Sequence, residues 1–106
     1  MFNVQEMATA VQNNIAVVSV VFNDGAYGNV QRMQKELHGG RIIATDLQNP
    51  DFVALAESFG MQARACDSPE TLAEALDAAF AANAPYLIDC KVGLFNDPWS
   101  TIMPRR

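Results

Sequence analysis

Residues 15–25 read IAVVSVVFNDG, an apolar run that stops at an amide, a carboxylate and a glycine. The run is apolar at every position except Ser19, and it is rich in valine. Such a pattern is typical of a strand covered on both faces, as in a parallel sheet. The residues after it admit two interpretations. Asp24-Gly25 is a favoured two-residue hairpin loop, but the same residues could form a ligand site at the mouth of a sheet.

Amphipathic spacing and capping residues predict the remaining elements. The predicted order is a helix over 2–13, a strand over 15–22, helices over 29–37 and from Asn49-Pro50-Asp51 to Gly60, a strand over 61–66, a helix after Ser68-Pro69-Glu70 and a strand over 85–92. In the fourth element we expect Asn49 to cap the helix and Pro50 to occupy its first position. Alternation of this kind predicts an α/β fold with a parallel sheet flanked by helices. Such folds normally begin with a strand, so the first strand is expected to be missing.

Composition limits the class of protein and its partners. The chain has 106 residues, seven basic and twelve acidic side chains and no basic cluster, which predicts one globular domain that does not bind nucleic acid. The longest apolar run is too short to cross a bilayer and no signal peptide is visible, so we expect a cytoplasmic protein with no membrane partner. Cys66 and Cys90 are predicted to be reduced core thiols.

Parallel geometry favours a ligand site over a hairpin. Consecutive parallel strands cannot be joined by a two-residue loop, so Asn23-Asp24-Gly25 would lie at the carboxyl edge of the sheet. There Asp24 and a nearby backbone carbonyl could offer oxygen atoms to Mg²⁺. Gly25 and Gly28 permit close approach of the backbone, and the N-terminus of the next helix suits a diphosphate. From these residues alone, a ligand site and a plain turn both remain open.

Several stretches resemble thiamine diphosphate-dependent enzymes of the acetolactate synthase and 2-oxoacid decarboxylase group. They are FNVQEMATAV, IAVVSVVF, NDGAYGNV, LQNPDFVALAESFGMQA, PYLIDCKVG and PWSTIMPRR, and together they cover essentially the whole chain. In that family a cofactor-binding motif begins with Gly-Asp-Gly and ends, after a helix and a strand, with Asn-Asn or Asn-Asp. The resemblance implies part of a three-layer, Rossmann-like cofactor domain.

The resemblance also implies a role for each residue of the loop. Asp24 would supply a side-chain oxygen to Mg²⁺ and Ala26 its backbone carbonyl. Asn23 would support the turn, and Tyr27 and Gly28 would lie beside the diphosphate and the thiazolium ring. The implied cofactor-binding residues are Asn23, Gly25, Ala26, Tyr27 and Gly28, and the implied metal ligands are Asp24 and Ala26. The family often has Asn where this chain has Asp24, and the carboxylate would add negative charge near the diphosphate. No residue is assigned as a general acid, base or nucleophile.

The implied function is that of the cofactor-binding portion of a lyase or transferase that decarboxylates or ligates 2-oxoacids, with thiamine diphosphate and Mg²⁺ as cofactors. The whole enzyme would be a dimer or tetramer. Residues 1–93 would form the partial cofactor domain and residues 94–106 a C-terminal tail. By the family's spacing, Gly-Asp-Gly would precede Met1, so one alternative is a truncated fragment that is inactive alone. A second is a non-enzymatic flavodoxin-like or receiver-like domain with Asp24 as phosphate acceptor and Lys91 beside it, although the acidic pair of such domains is missing.

Overall fold

Helices and strands alternate along residues 3–93, which, with residue 102, are the residues that the computed structural model describes. The elements are α1 (Glu6–Gln12), β1 (Val18–Asn23), α2 (Gly28–Leu37), α3 (Phe52–Ser58), β2 (Gln62–Cys66), α4 (Pro69–Ala82) and β3 (Tyr86–Lys91). This order confirms the predicted one. The predicted tail, residues 94–106, lies outside the described residues except for residue 102.

The three strands form a parallel sheet in the order β1-β3-β2. Val18 pairs with Tyr86 at one end of β1 and Asn23 pairs with Lys91 at the other, while Gln62 of β2 also pairs with Tyr86. Within the described residues, β1 therefore lies at an edge of the sheet and β3 at its centre. The parallel pairing excludes the hairpin interpretation of the Asp-Gly turn.

Alternation along β3 divides the core between the two faces of the sheet. Ile88 and its neighbours of the same parity pack against Ala75 and Ala79 of α4. Leu87 faces the opposite way and packs against Phe52 and Ala56 of α3. Both Leu87 and Ile88 are fully buried. The result is a three-layer arrangement with helices on both faces, as predicted.

The start of α3 corrects one prediction. Asp51, not Asn49, is the N-cap, and its carboxylate accepts a hydrogen bond from the Ala54 N–H. Helical structure begins at Phe52, so Pro50 lies outside the helix. The reason is that the Asn49 side chain is used elsewhere, donating to the side chain of Asn23 over 2.9 Å.

The first strand and the helix before it are shorter than predicted. α1 begins at Glu6, and Asn14 has a left-handed backbone with φ +49°. The Ile15 N–H donates to the Ala10 carbonyl over 2.9 Å, which ends the helix. As a result, residues 15–17 lead into a strand that begins only at Val18.

The two cysteines lie opposite each other in the sheet, since Cys66 of β2 pairs with Cys90 of β3. Both are free and buried, which confirms the predicted core thiols. Burial raises the pKa of the Cys66 thiol from 9.0 to about 11, and a hydrogen bond with Cys90 contributes to the increase. At neutral pH the Cys66 thiol therefore stays protonated and packs as a small apolar core residue.

The described chain divides into two compact units. Unit 1 comprises residues 3–23 and 49–92, and thus contains the sheet with α1, α3 and α4. Unit 2 comprises residues 24–48, 93 and 102, and contains α2 with the segments on either side of it. None of the helices in the described residues is long and apolar enough to cross a membrane.

Candidate functional site

The carboxyl end of β1 is held within unit 1 by a buried polar cluster. The Asn23 side-chain amide donates to Oδ1 of Asp89 over 3.0 Å, and its carbonyl oxygen accepts from Asn49 over 2.9 Å. The second oxygen of Asp89 lies 2.7 Å from the Lys91 ammonium. The Asp89 side chain is only 3% exposed, so these partners compensate for burying its charge. Asn23 is thus tied into the sheet by its side chain as well as by its backbone.

The next residue along the chain, Asp24, begins a tight turn that belongs to unit 2. Oδ1 of Asp24 accepts a hydrogen bond from the Ala26 N–H over 3.1 Å, the local arrangement that Asp readily forms with the backbone two residues on. Gly25 has φ +67°, and a side chain on it would meet nothing within 4 Å. The turn therefore needs glycine for its backbone conformation, not because neighbouring atoms crowd it.

A second segment, residues 45–47, pairs with this turn inside unit 2. The Leu47 N–H donates to the Gly25 carbonyl over 2.8 Å, and the Tyr27 N–H donates to the Thr45 carbonyl over 2.8 Å. Together these two bonds make an antiparallel bridge that places Ala26 opposite Asp46. Sequence analysis missed this pairing, because residues 45–47 carry no strand pattern.

The type of bridge fixes the direction of the Ala26 backbone. Its two hydrogen bonds belong to the residues before and after Ala26, so Ala26 and Asp46 are a non-hydrogen-bonded pair. In such a pair the N–H and C=O of the central residue point away from the opposite strand. Because the Ala26 N–H meets the Asp24 carboxylate, that carboxylate and the Ala26 carbonyl lie on the same, outer side of the bridge. The two predicted metal ligands are therefore brought together.

Two glutamine side chains of α2 hold the pairing segment. Oε1 of Gln34 accepts a hydrogen bond from the Ile43 N–H over 3.1 Å, and its Nε2 donates to the Ile43 carbonyl over 3.1 Å. Gln31 is buried and donates to Oδ1 of Asp46 over 2.8 Å. In unit 2 the turn leads directly into α2. Side chains of α2 in turn bond to the segment that pairs with the turn. The only local signal for these residues is the i, i+3 spacing of two glutamines on one helix face.

The N-terminus of α2 follows the turn directly. Tyr27 is the N-cap and forms no side-chain capping bond, and the first turn of α2 contains no acidic residue. The backbone N–H groups of the first turn and the positive end of the helix dipole therefore receive no compensation from a side-chain cap or an acidic side chain in that turn. Gly28 is partly exposed at the first helical position and Tyr27 is 58% exposed. These groups are able to receive an anion.

The protein side chains of the described ranges 3–93 and 102 do not form a self-sufficient metal centre. No group of three or more His, Cys, Asp and Glu side chains lies close enough to hold an ion there. A metal at the turn would have one carboxylate, from Asp24, and the Ala26 carbonyl. The other oxygen ligands would come from a phosphate-bearing ligand and water, which is how Mg²⁺ is usually held.

Comparison with protein families identifies one match over most of the chain. Residues 1–90 match the family described as thiamine pyrophosphate enzyme, C-terminal TPP binding domain. Thiamine pyrophosphate is another name for the cofactor predicted from the sequence.

Curated relatives agree with this match. The chain is 37% identical over 103 residues to a probable acetolactate synthase large subunit of Methanococcus aeolicus, covering 96% of this chain and 16% of that protein. It is 36% identical over 92 residues to an acetolactate synthase of Bacillus subtilis, covering 87% of this chain and 16% of the relative. The chain therefore spans about a sixth of the length of these relatives.

A solved structure shows the same fold. The thiamine diphosphate-dependent 4-hydroxybenzoylformate decarboxylase of Rhodococcus jostii RHA1 superposes with a TM-score of 0.79 at 31% identity, over 91% of this chain and 18% of that one. With residues 1–90 matching the family, this chain belongs to the C-terminal cofactor-binding domains of thiamine pyrophosphate-dependent enzymes.

Proposed function

We propose that the turn over residues 24–28 anchors the diphosphate of thiamine diphosphate through Mg²⁺. The observation that carries this proposal is that the Asp24 carboxylate and the Ala26 carbonyl lie on the same, outer side of the bridge between Ala26 and Asp46. Two hard oxygen donors are then available to one cation, and the chain supplies no competing cluster of ligands among its described residues. The donor set suits Mg²⁺, which takes a few protein oxygens and completes its shell with phosphate oxygens and water.

Each residue of the turn has a distinct part in the proposed site. Asp24 binds the cation directly, and Ala26 adds its carbonyl. Gly25 allows the turn that brings the two together. Tyr27 and Gly28 lie at the start of α2, where backbone N–H groups donate hydrogen bonds to the phosphate oxygens. Asn23 ends β1 immediately before the turn, and both polar atoms of its side chain are used inside unit 1.

The relatives named above are acetolactate synthases and a thiamine diphosphate-dependent decarboxylase. We propose that this chain is the cofactor-anchoring portion of an acetolactate synthase-like decarboxylase or carboligase acting on 2-oxoacids. When bound, thiamine diphosphate would supply the nucleophilic carbon and the electron sink that decarboxylation of a 2-oxoacid requires. The residues of this chain contribute placement and charge neutralisation, and none of them is assigned a proton-transfer role.

Isothermal titration of the chain with thiamine diphosphate tests the proposal, with and without MgCl₂. We expect binding that requires Mg²⁺, and we expect Asp24→Ala to raise the Mg²⁺ dissociation constant by at least about tenfold, which corresponds to about 1.4 kcal/mol. Asp24→Asn keeps an oxygen ligand and should retain most of the affinity. Asp77→Ala is the matched control, because it removes an exposed carboxylate from α4 in unit 1.

Two results would contradict the proposal. One is binding of thiamine diphosphate that is independent of Mg²⁺ or absent altogether. The other is an Asp24→Ala chain with the same Mg²⁺ affinity as the Asp77→Ala chain.

A further inference from the structure

The hydrogen bond between Gln31 and Asp46 is the feature of unit 2 that the cofactor family does not itself explain. Gln31 is 6% exposed, and its amide nitrogen donates to the Asp46 carboxylate over 2.8 Å. Its carbonyl oxygen accepts from the Lys35 ammonium over 3.4 Å. A buried amide with both ends engaged and a charged acceptor has a defined orientation, and charge-assisted bonds of this kind are stronger than neutral ones.

Asp46 is the residue directly opposite Ala26 in the bridge. Holding Asp46 against α2 therefore fixes which residue of the 45–47 segment faces Ala26. Two backbone hydrogen bonds make the bridge, and an isolated pair of short segments specifies its register weakly. The hydrogen bond between Gln31 and Asp46 therefore specifies the register that the short backbone pairing does not.

A slip of one residue would change the chemistry of the turn. Hydrogen-bonded and non-hydrogen-bonded pairs alternate along an antiparallel ladder. Such a slip turns one of the two segments over, and when that segment is the turn, Ala26 would occupy a hydrogen-bonded position and direct its N–H and C=O toward residues 45–47. The Ala26 carbonyl would then accept a hydrogen bond from the opposite segment and would no longer lie on the same side as the Asp24 carboxylate.

We propose that Gln31 and Asp46 are positioning residues that lock this register and thereby present the Ala26 carbonyl to the metal. The inference rests on the function proposed above for residues 24–28. Neither side chain touches the cation. Both act through the backbone of the 45–47 segment.

A polarity swap separates this role from simple stabilisation. Gln31→Glu places a second carboxylate beside Asp46 and breaks the bond by repulsion. Asp46→Asn keeps an oxygen that can still accept from Gln31. The double variant Gln31→Glu/Asp46→Asn restores a bond with donor and acceptor exchanged, has the net charge of the original chain, and leaves Lys35 beside a carboxylate. Glu36→Gln is the control, because it removes an exposed charge from the same helix.

Two measurements are made on the full chain. The first is amide hydrogen exchange at Tyr27 and Leu47, the two donors of the bridge, without ligand. The second is the Mg²⁺ dissociation constant at a fixed, saturating concentration of thiamine diphosphate. We expect Gln31→Glu to accelerate exchange at both amides by about tenfold and to weaken Mg²⁺ binding by at least about fivefold, while the double variant returns both values to within about twofold of the original.

The sign of the second measurement is decisive. With thiamine diphosphate at saturating concentration, added negative charge in unit 2 should by itself strengthen the binding of a cation, so weaker binding by Gln31→Glu indicates lost positioning. Stronger or unchanged Mg²⁺ binding by Gln31→Glu, or a double variant that resembles the single one, would overturn the proposal. If the original chain binds no cofactor, the proposed function fails, and exchange at Tyr27 and Leu47 alone decides the register lock. Unchanged exchange in Gln31→Glu would then refute it.

Discussion

Unit 1 and unit 2 are stabilised by different interactions. The core of unit 1 consists of fully buried apolar residues on both faces of its sheet, with Leu87, Ile88, Ala56 and Ala75 all at 0% exposure. Unit 2 has Gln31 and Thr45 as its buried residues among those described, and both are polar. Most of its large apolar side chains are exposed, including Leu37 at 68% and Ile43 at 75%, while Leu47 is partly buried.

The contrast indicates that unit 1 supplies most of the stability of this domain, whereas hydrogen bonds fix the backbone geometry of unit 2. Apolar burial is non-directional and supplies most of the stability of a fold. Hydrogen bonds are directional, contribute modestly to stability, and specify one geometry. The proposed ligand turn belongs to the unit that is organised by directional bonds, as expected for backbone that must present one carbonyl and several N–H groups to a ligand.

The largest expected effect is on the core of unit 1. Leu87→Ala removes a fully buried side chain packed against Phe52 and Met61, and we expect it to lower the free energy of unfolding by about 2–5 kcal/mol. The same substitution in unit 2, Leu37→Ala, should change it by less than about 0.5 kcal/mol. Urea denaturation followed by circular dichroism measures both, and equal losses for the two variants would abolish the contrast between the units.

An intermediate and local effect is expected at Gln34. Gln34→Ala removes three side-chain hydrogen bonds to Ile43 and Thr45, and we expect amide exchange at Ile43 to become about fivefold faster, or about 1 kcal/mol. The urea midpoint should remain unchanged, because unit 1 does not depend on these bonds.

Gln62→Ala provides the matched control, since Gln62 is an exposed glutamine on β2. A fall in the urea midpoint with Gln34→Ala but not with Gln62→Ala would show that unit 2 contributes to global stability and would weaken the comparison.

The smallest expected effect is at Ala44, which has a left-handed backbone with φ +55° immediately before the pairing segment. Residues with a Cβ are strained in this conformation and glycine is not, although glycine loses more entropy on folding. We expect Ala44→Gly to slow exchange at Leu47 by about twofold. Ala54→Gly in α3 should destabilise unit 1 by about 1 kcal/mol, so the same substitution should have opposite signs in the two units. Faster exchange at Leu47 would show that Ala44 is not strained.

Much of the fold was predictable because the deciding signals are local. The valine-rich run before Asn23 predicted a parallel strand, which the pairing of β1 with β3 confirms. The predicted cover on both faces was wrong, since residues 18–21 are only partly buried and Phe22 is 61% exposed. Ser68-Pro69 predicted the start of α4, which the structure confirms with a capping box. The error at Asn49 has a tertiary cause. Its side chain bonds to Asn23, a residue 26 positions away, so the neighbouring Asp51 became the cap.

The candidate site was predicted only in part for the same reason. Asp24, Gly25 and Ala26 are adjacent in sequence, and their pattern alone marked them as a turn or a ligand site. The bridge to residues 45–47 and the contact between Asn23 and Asp89, 66 residues apart, leave no local pattern. Local propensity and hydrophobic period therefore determined the elements and their order. The direction of the Ala26 carbonyl was decided by tertiary structure, because a backbone group is oriented by its pairing partner and not by its own side chain.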